Sequence, residues 1–308
     1  MEAMMNMRQL RLLLLVALIA LPRAADADTL LRWKLQPGEV LVVQTQQETQ
    51  SKVGFGSKST TTHIELELRL NWTVAAVDEK QITLKQSIDQ IRLKLTPEQG
   101  SAVEFDSDGK SPPAGPARDL ADSMTPLLGA QIELTMSTRG EILAARPAND
   151  AAKALFGGEK KTDDKSGGSQ GALERLLRQP LVVLPEKEVN NGESWTTTCD
   201  LVTAAGSFQQ ETTYQLKEIA DEGMAKISMA SKFTPTGAPA TTGTVSSGTL
   251  KVTEHKQTGA IRFAAQAGRV TEAEQTQKLV TERPYRETTI TVTLTSKQTT
   301  TVKSSRQP

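Results

Sequence analysis

Apolar side chains occupy every second position between residues 64 and 74, and polar or charged residues fill the positions between them. The apolar members are Ile64, Leu66, Leu68, Leu70, Trp72 and Val74. Successive side chains of a β-strand point to opposite faces. This pattern therefore predicts a long strand with one dry face and one solvated face.

The same alternation returns after a polar turn at residues 78–80, and its parity then changes. The apolar positions of this second strand are Ile82, Leu84, Ile88, Ile91, Leu93 and Leu95. One extra residue in a strand moves all later side chains to the opposite face. We therefore predict a long antiparallel hairpin with a β-bulge near Asp89 and Gln90.

Helical signals are confined to the middle of the chain. A short helix is predicted around Leu120, and it should end or kink near Thr125 because Pro126 follows. Asn149 is placed to cap a second short helix over residues 150–156.

Strand patterns return in the second half and end in a long alternation of Ile290, Val292 and Leu294 with threonines. We interpret the threonine row as the solvated side of an edge strand. The predicted fold class is mainly β and antiparallel, with two related curved sheets, half-barrel or sandwich-like. A few short helices lie in the middle of the chain.

The two β-rich halves show a weak internal repeat. Each opens with a Gly-Glu pair, at residues 38–39 and 192–193, and each continues with a hairpin of similar design. Each then shows a short strand that ends in phenylalanine, Phe105 in the first half and Phe263 in the second. Matched order and spacing suggest a duplicated sheet unit.

The first 27 residues predict a secretory signal peptide, because Arg8 and Arg11 precede a short apolar run and small residues follow. Cleavage after Ala27 would export the protein to the periplasm or the extracellular space, and no later segment is apolar enough to span a membrane. The rest divides into an N-terminal β unit (28–110), a middle region (111–180) and a C-terminal β unit (181–308). The middle region has short helices, a hairpin and a flexible linker at 157–171.

The amino-acid composition limits the classes of partner that the protein is expected to bind. The 36 basic and 36 acidic residues cancel, so no excess positive charge favours nucleic acid or an anionic membrane surface. Hydrophobic residues make up only 37% of the chain and aromatic residues 4%, which suits half-solvated antiparallel sheets better than a thick α/β core.

Candidate chemistry is sparse. The single cysteine, Cys199, excludes an intramolecular disulfide and is interpreted as a small buried strand residue. A G-x-S-x-G sequence at 167–171 lies in the charged linker, without the preceding strand that a nucleophile elbow requires. His63 and His255 are both expected at the surface, and neither shows metal-ligand spacing with another residue. We therefore predict no catalytic, cofactor-binding or metal-binding residues, and no enzyme.

Two turn-and-strand motifs resemble a known protein family. They read Leu-x-Trp-Lys-Leu-x-x-Gly-Glu at residues 31–39 and Leu-Pro-x-Lys-x-Val-x-x-Gly-Glu-Ser-Trp at residues 184–195. The chain resembles a family of uncharacterised secreted bacterial proteins with no assigned activity. Its fold also resembles the half-barrels of periplasmic lipoprotein carriers. The resemblance implies compartment and architecture, and it assigns no catalytic residue.

The sequence favours an exported, non-enzymatic binding or envelope-associated protein, whose partner would be a lipid or an envelope protein. One alternative is a periplasmic carrier of a lipid or another apolar ligand, and a second is a carboxylate-dependent hydrolase. In the carrier hypothesis the dry face of the first strand lines an open cavity instead of a filled core. The residues of that candidate ligand face are Leu66, Leu68, Leu70 and Trp72.

Overall fold

The computed structural model describes residues 29–110, 113–156, 181–203, 206–236 and 251–305. The predicted signal peptide, the linker at 157–171 and the G-x-S-x-G sequence within it lie outside these residues. The boundaries predicted for the three regions of the mature chain stay a prediction.

Twelve strands and two short α-helices form the described fold. The strands are β1 (Val40–Phe55), β2 (Lys58–Val77), β3 (Gln81–Pro97), β4 (Val103–Asp106), β5 (Gln131–Ser137), β6 (Ile142–Pro147), β7 (Ser194–Thr203), β8 (Gly206–Ala220), β9 (Met224–Pro235), β10 (Lys251–Ala264), β11 (Arg269–Tyr285) and β12 (Thr288–Ser305). The helices are α1 (Pro116–Met124) and α2 (Asp150–Phe156), with 3₁₀ turns at Thr125–Leu127 and Asp221–Gly223.

All twelve strands belong to one open antiparallel sheet in the order β6-β5-β3-β2-β1-β12-β11-β10-β9-β8-β7, and β4 pairs with the far end of β3. The mainly antiparallel β fold is thus confirmed, but the two predicted sheets are one. β1 and β12 pair along their whole length and join the two halves. The last strand therefore lies in the middle of the sheet. The threonine row had predicted an edge strand, and that prediction is wrong.

Several local predictions are confirmed. Arg69 pairs with Gln90 and Leu70 pairs with Ile88, so Asp89 is the bulged residue that reverses the parity of β3. Helix α1 runs up to Thr125, where the 3₁₀ turn with the proline begins. The side chain of Asn149 accepts a hydrogen bond from the backbone N–H of residue 152 at 2.9 Å and so caps α2.

The two faces of the sheet differ in chemistry. We call the face that carries Leu41, Leu70 and Ile261 the inner face, because alternate residues on this side are buried against one continuous core. The opposite, outer face is solvated. It carries cross-strand ion pairs such as Lys94–Glu65 and Lys278–Glu254.

The segment 31–35, which buries Leu31, Trp33 and Leu35, requires the sheet to curve. The backbone N–H of Trp33 donates to the carbonyl of Thr138 in the β5–β6 turn at 2.8 Å, and that of Lys34 donates to Gly268 in the β10–β11 turn at 2.9 Å. These two carbonyls are consequently within about 10 Å of each other. β5 and β11 are five strand spacings apart, which is about 24 Å along the sheet. Only a curved sheet satisfies both contacts.

The indole of Trp33 completes this closure. Its Nε1 donates to the carbonyl of Val182 at 3.1 Å, and its ring meets Phe263 of β10 edge-on at 5.9 Å between ring centroids. Trp33 is buried, with an exposed fraction of 2%. A single side chain therefore packs against both halves of the sheet.

The two halves repeat the same entry turn. Gly38 and Gly192 both have positive φ, 82° and 88°, and their N–H groups donate to Val74 and Leu216. In each turn the following glutamate accepts a bond from the N–H three residues before it. The third strand of the repeat differs from the prediction. β10, which holds Phe263, corresponds to β5, since β5 and β10 occupy the same place beside β3 and β9.

Gly140 is expected to be a sensitive glycine of the closure. Its φ is 91°, and a Cβ there would overlap the carbonyl oxygen of Val182 and lie 2.6 Å from the indole nitrogen of Trp33. Gly38 also has a positive φ, but a Cβ there meets nothing within 4 Å. Both alanine variants carry the backbone strain of roughly 1–2 kcal/mol. Gly140→Ala should lower the free energy of unfolding by about a further 1–3 kcal/mol through overpacking. Equal losses in urea denaturation would contradict the closure.

Candidate functional site on the inner face

The structure separates the four residues of the predicted ligand face. Leu68, Leu70 and Trp72 are buried in the core, with Trp72 fully inaccessible, whereas Leu66 is only half-buried. The buried core therefore ends between Leu68 and Leu66, and a partly exposed surface begins at Leu66. That these residues bind a ligand stays a prediction.

Beyond Leu66 the inner face carries incompletely covered apolar residues, interspersed with hydroxyl residues such as Thr49, Ser51 and Thr62. Val53 and Phe55 near the tip of β1 are 42% and 47% exposed. Their neighbours in register on β12, and the next apolar row on β2 and β3, are half-buried. These half-buried residues are Ile64, Leu93, Leu95, Ile290, Val292 and Leu294. They form an open apolar surface that the described chain leaves partly in contact with solvent.

A buried layer of hydroxyl and amide groups lies above the core in the centre of the sheet. Thr45 and Thr300 face each other across β1 and β12 with their hydroxyl oxygens 3.1 Å apart, and Gln298 donates to Thr300 at 3.2 Å. Thr212 and Ser231 form the corresponding pair across β8 and β9 at 2.8 Å. These bonds satisfy polar groups that burial would otherwise penalise.

Above this layer six glutamines cross the inner face, and we call them the glutamine belt. They are Gln47, Gln210, Gln257, Gln275, Gln277 and Gln298. The amide nitrogen of Gln210 donates to Gln257 at 3.3 Å, and that of Gln257 donates to Gln275 at 2.9 Å. In register, Gln275 lies beside Gln298, which lies beside Gln47. The belt thus spans from β8 to β1.

Burial favours the neutral form of two ionisable side chains on the inner face, Tyr214 and His255. Burial raises the pKa of Tyr214 to about 12, and the ring stacks on Trp195 with centroids 5.5 Å apart. Burial also lowers the pKa of His255. Among the described residues, alternation places only Lys58 and Arg283 as charged groups on this face, and both lie near the strand tips.

His255 was expected at the surface but faces inward. Its ring stacks on Phe233 with centroids 3.7 Å apart, and its Nε2 lies 3.2 Å from the amide nitrogen of Gln277. The sequence expectation was wrong because a β-bulge near Val252 sets the parity of β10, and neighbouring charged residues do not reveal it. His63, by contrast, is exposed on the outer face as predicted.

The acidic side chains near β3 are engaged in a charge network on the outer side of the sheet. Arg92 contacts Glu67 of β2 at 3.0 Å and Asp106 of β4 at 2.9 Å. A hydrogen bond from the backbone N–H of Asp108 is the main cause that lowers the pKa of Asp106, and the contact with Arg92 lowers it further. A shallow depression of about 340 Å³ on this face is lined by polar groups that include Arg69.

Two further features concern reactivity. Cys199 was expected to be buried but is exposed on β7, an edge strand of the sheet. Within the described residues, His, Cys, Asp and Glu form no group of three or more that could hold a metal ion.

The described helices are too short and too polar to span a membrane.

The belt is the feature that the sequence interpretation missed. Gln275 and Gln277 share a parity on β11, as do Gln47 and Thr49 on β1. That alternation was visible, but assigning it to the inner face requires the register of β1 against β12.

The model of a protein family matches residues 79–270, which is more than half of the chain. The chain belongs to the family of unknown function DUF6263. This confirms the expectation of a family with no assigned activity. No curated protein matches the sequence.

Two solved structures are similar to this chain at low sequence identity, and the first of them shares the fold. A structure of lipovitellin, described for its lipid–protein interactions, is similar with a TM-score of 0.50 and 14% identity over 89% of this chain. The DUF6263 chain spans 26% of that lipovitellin chain. An outer membrane channel from Pseudomonas putida F1 gives a TM-score of 0.24 at 7% identity, over 88% of this chain and 98% of the channel chain. The lipovitellin similarity concerns the fold alone.

His255 should make stability depend on pH. Burial lowers the pKa of its imidazole below the ordinary value of 6.5, so below that pH the unfolded chain binds a proton that the folded protein does not. The free energy of unfolding is therefore full above about pH 6.5 and falls as the pH drops towards the lower, folded pKa. His255→Gln should remove this loss in urea denaturation at a series of pH values. His63→Gln serves as the exposed control, and an unchanged pH dependence in His255→Gln would refute the assignment.

Proposed function

We propose that this DUF6263 protein is an exported, non-enzymatic binding protein that holds a lipid or another apolar ligand on its inner face. The observation that carries the proposal is the open apolar surface, in which Phe55 and Val53 are nearly half exposed beside half-buried Leu294. Most charged strand residues lie on the outer face, and Lys58 and Arg283 are the inner-face cations beside these accessible apolar side chains.

Exposed apolar surface has a free-energy cost that a ligand can relieve. Burial of such surface contributes roughly 25 cal/mol per Å². Contiguous apolar patches on soluble proteins are commonly sites of interaction. Here the patch lies on the concave side of a curved sheet, where strands from both halves of the chain can contact one ligand.

The comparison with lipovitellin supports the same reading at the level of the fold. A lipovitellin structure described for its lipid–protein interactions shares the strand arrangement over most of this chain. Transfer of lipid binding to the present protein is part of the proposal. Export rests on the sequence of the first 27 residues, and it is proposed on that ground.

The hydrolase alternative receives no support from the placement of acidic groups. The described carboxylates near β3 and β10 pair with basic residues on neighbouring strands of the outer face, as in Arg92–Glu67 and Arg262–Glu272. Such pairs are typical of a solvated sheet surface. A binding role on the inner face is therefore preferred.

Phe55→Ser should weaken ligand binding without unfolding the protein. Phe55 is 47% exposed, so its removal costs little packing, but it removes apolar contact from the proposed site. We expect about tenfold weaker binding of a lipid with a pyrene-labelled acyl chain, or about 1.4 kcal/mol. Leu143→Ser is the matched control, because Leu143 is 57% exposed on β6, away from the strand tips. Equal affinity of all three proteins in a fluorescence titration would contradict the proposed site.

A further inference from the structure

We propose that the head group of the bound lipid is uncharged and is held by the glutamine belt, with its tail on the apolar tips of β1 and β12. The ligand class is a neutral amphiphile with hydroxyl and ester groups, such as a monoacylglycerol. This inference rests on the proposed function and adds the chemistry of the head group.

The belt offers both donors and acceptors in one row. The hydrogen bonds between side-chain amides run from Gln210 through Gln257 and end at Gln275. Among the described residues, the amide nitrogen of Gln275 has no protein partner, so it remains available as a donor. The oxygen of Gln298 adds an acceptor in the neighbouring strand, since the Gln298 amide nitrogen is the atom that bonds Thr300. A hydroxyl group needs both kinds of partner, and an ester carbonyl needs a donor.

The surroundings of the belt disfavour a charged head group. A desolvated charge is costly unless an opposite charge pairs with it. The charged side chains on the inner face of the described strands are Arg283 and Lys58. Arg283 lies six residues beyond Gln277, about 20 Å along β11, and Lys58 pairs with Phe55, eight residues beyond Gln47 and about 26 Å along β1. A carboxylate or phosphate at the belt would therefore lack a cationic partner among the described residues. A cationic head group would equally lack an anionic one.

The open apolar surface at the ends of β1 and β12 lies at a suitable distance from the glutamine belt to hold the tail. Along β12 the row changes from Gln298 to Leu294 within four residues, about 13 Å, and Val292 and Ile290 follow. Val53 and Phe55 lie beside the last two on β1. One amphiphile can thus contact the belt with its head and the tips with its chain.

The first test compares three probes that share an oleoyl or oleyl chain: monooleoylglycerol, oleate and oleylamine, each titrated against the full mature protein at about pH 8. We expect monooleoylglycerol to bind at least tenfold more tightly than either charged probe. Equal affinities, or tighter binding of a charged probe, would overturn the head-group inference while leaving the proposed function intact. Failure of all three to bind would overturn both.

The second test places one carboxylate on either face. Gln275→Glu should weaken monooleoylglycerol binding at least tenfold and strengthen oleylamine binding, whereas Gln46→Glu, the same change at an exposed outer-face position of β1, should alter neither. Gln275→Leu adds no charge and should reduce the preference for monooleoylglycerol over oleate. Unchanged probe preference in both Gln275 variants would show that the belt does not select the head group.

Discussion

The contacts of Trp33 are the constraint on which the architecture depends. Its backbone N–H donates to the β5–β6 turn, its indole donates to Val182, and its ring packs on Phe263 of β10. The β5–β6 turn and β10 lie far apart along the sheet. Without such a constraint, an open twelve-stranded sheet would leave its apolar face in contact with water. The buried segment around Trp33 draws both halves over a common core, so one end of the inner face becomes dry while the other stays accessible.

Alternation along the strands then divides the chemistry. Charged residues pair across strands on the outer face, where solvent screens them, and each pair contributes little to stability. The inner face changes from an aliphatic and aromatic core, through hydroxyl pairs such as Thr45–Thr300, to the glutamine belt and the open apolar tips. This gradation explains how a chain with 37% hydrophobic residues folds without a thick core, because a large part of its inner face is neutral and polar.

Local features were predictable where a short-range rule determines them. The parity change in β3 predicted the bulge at Asp89, and Asn149 predicted the cap of α2, because each depends on adjacent residues. The pairing of β1 with β12 was not predictable, because it joins residues about 250 positions apart and the threonines of β12 fit an edge strand equally well. The inward position of His255 follows from the β-bulge near Val252, and the exposure of Cys199 is on β7 at the edge of the sheet; neither feature has a signal in the neighbouring sequence.

The candidate site shows the same division. The sequence predicted a dry face from Ile64 to Val74, but which of these residues the core covers depends on the segment around Trp33. The most direct test of the account is photo-crosslinking with a monoacylglycerol that carries a diazirine in its acyl chain, followed by mass spectrometric mapping. Crosslinks are expected at inner-face positions near Phe55 and Leu294. Crosslinks confined to the outer face, or labelling that unlabelled monooleoylglycerol does not compete away, would contradict it.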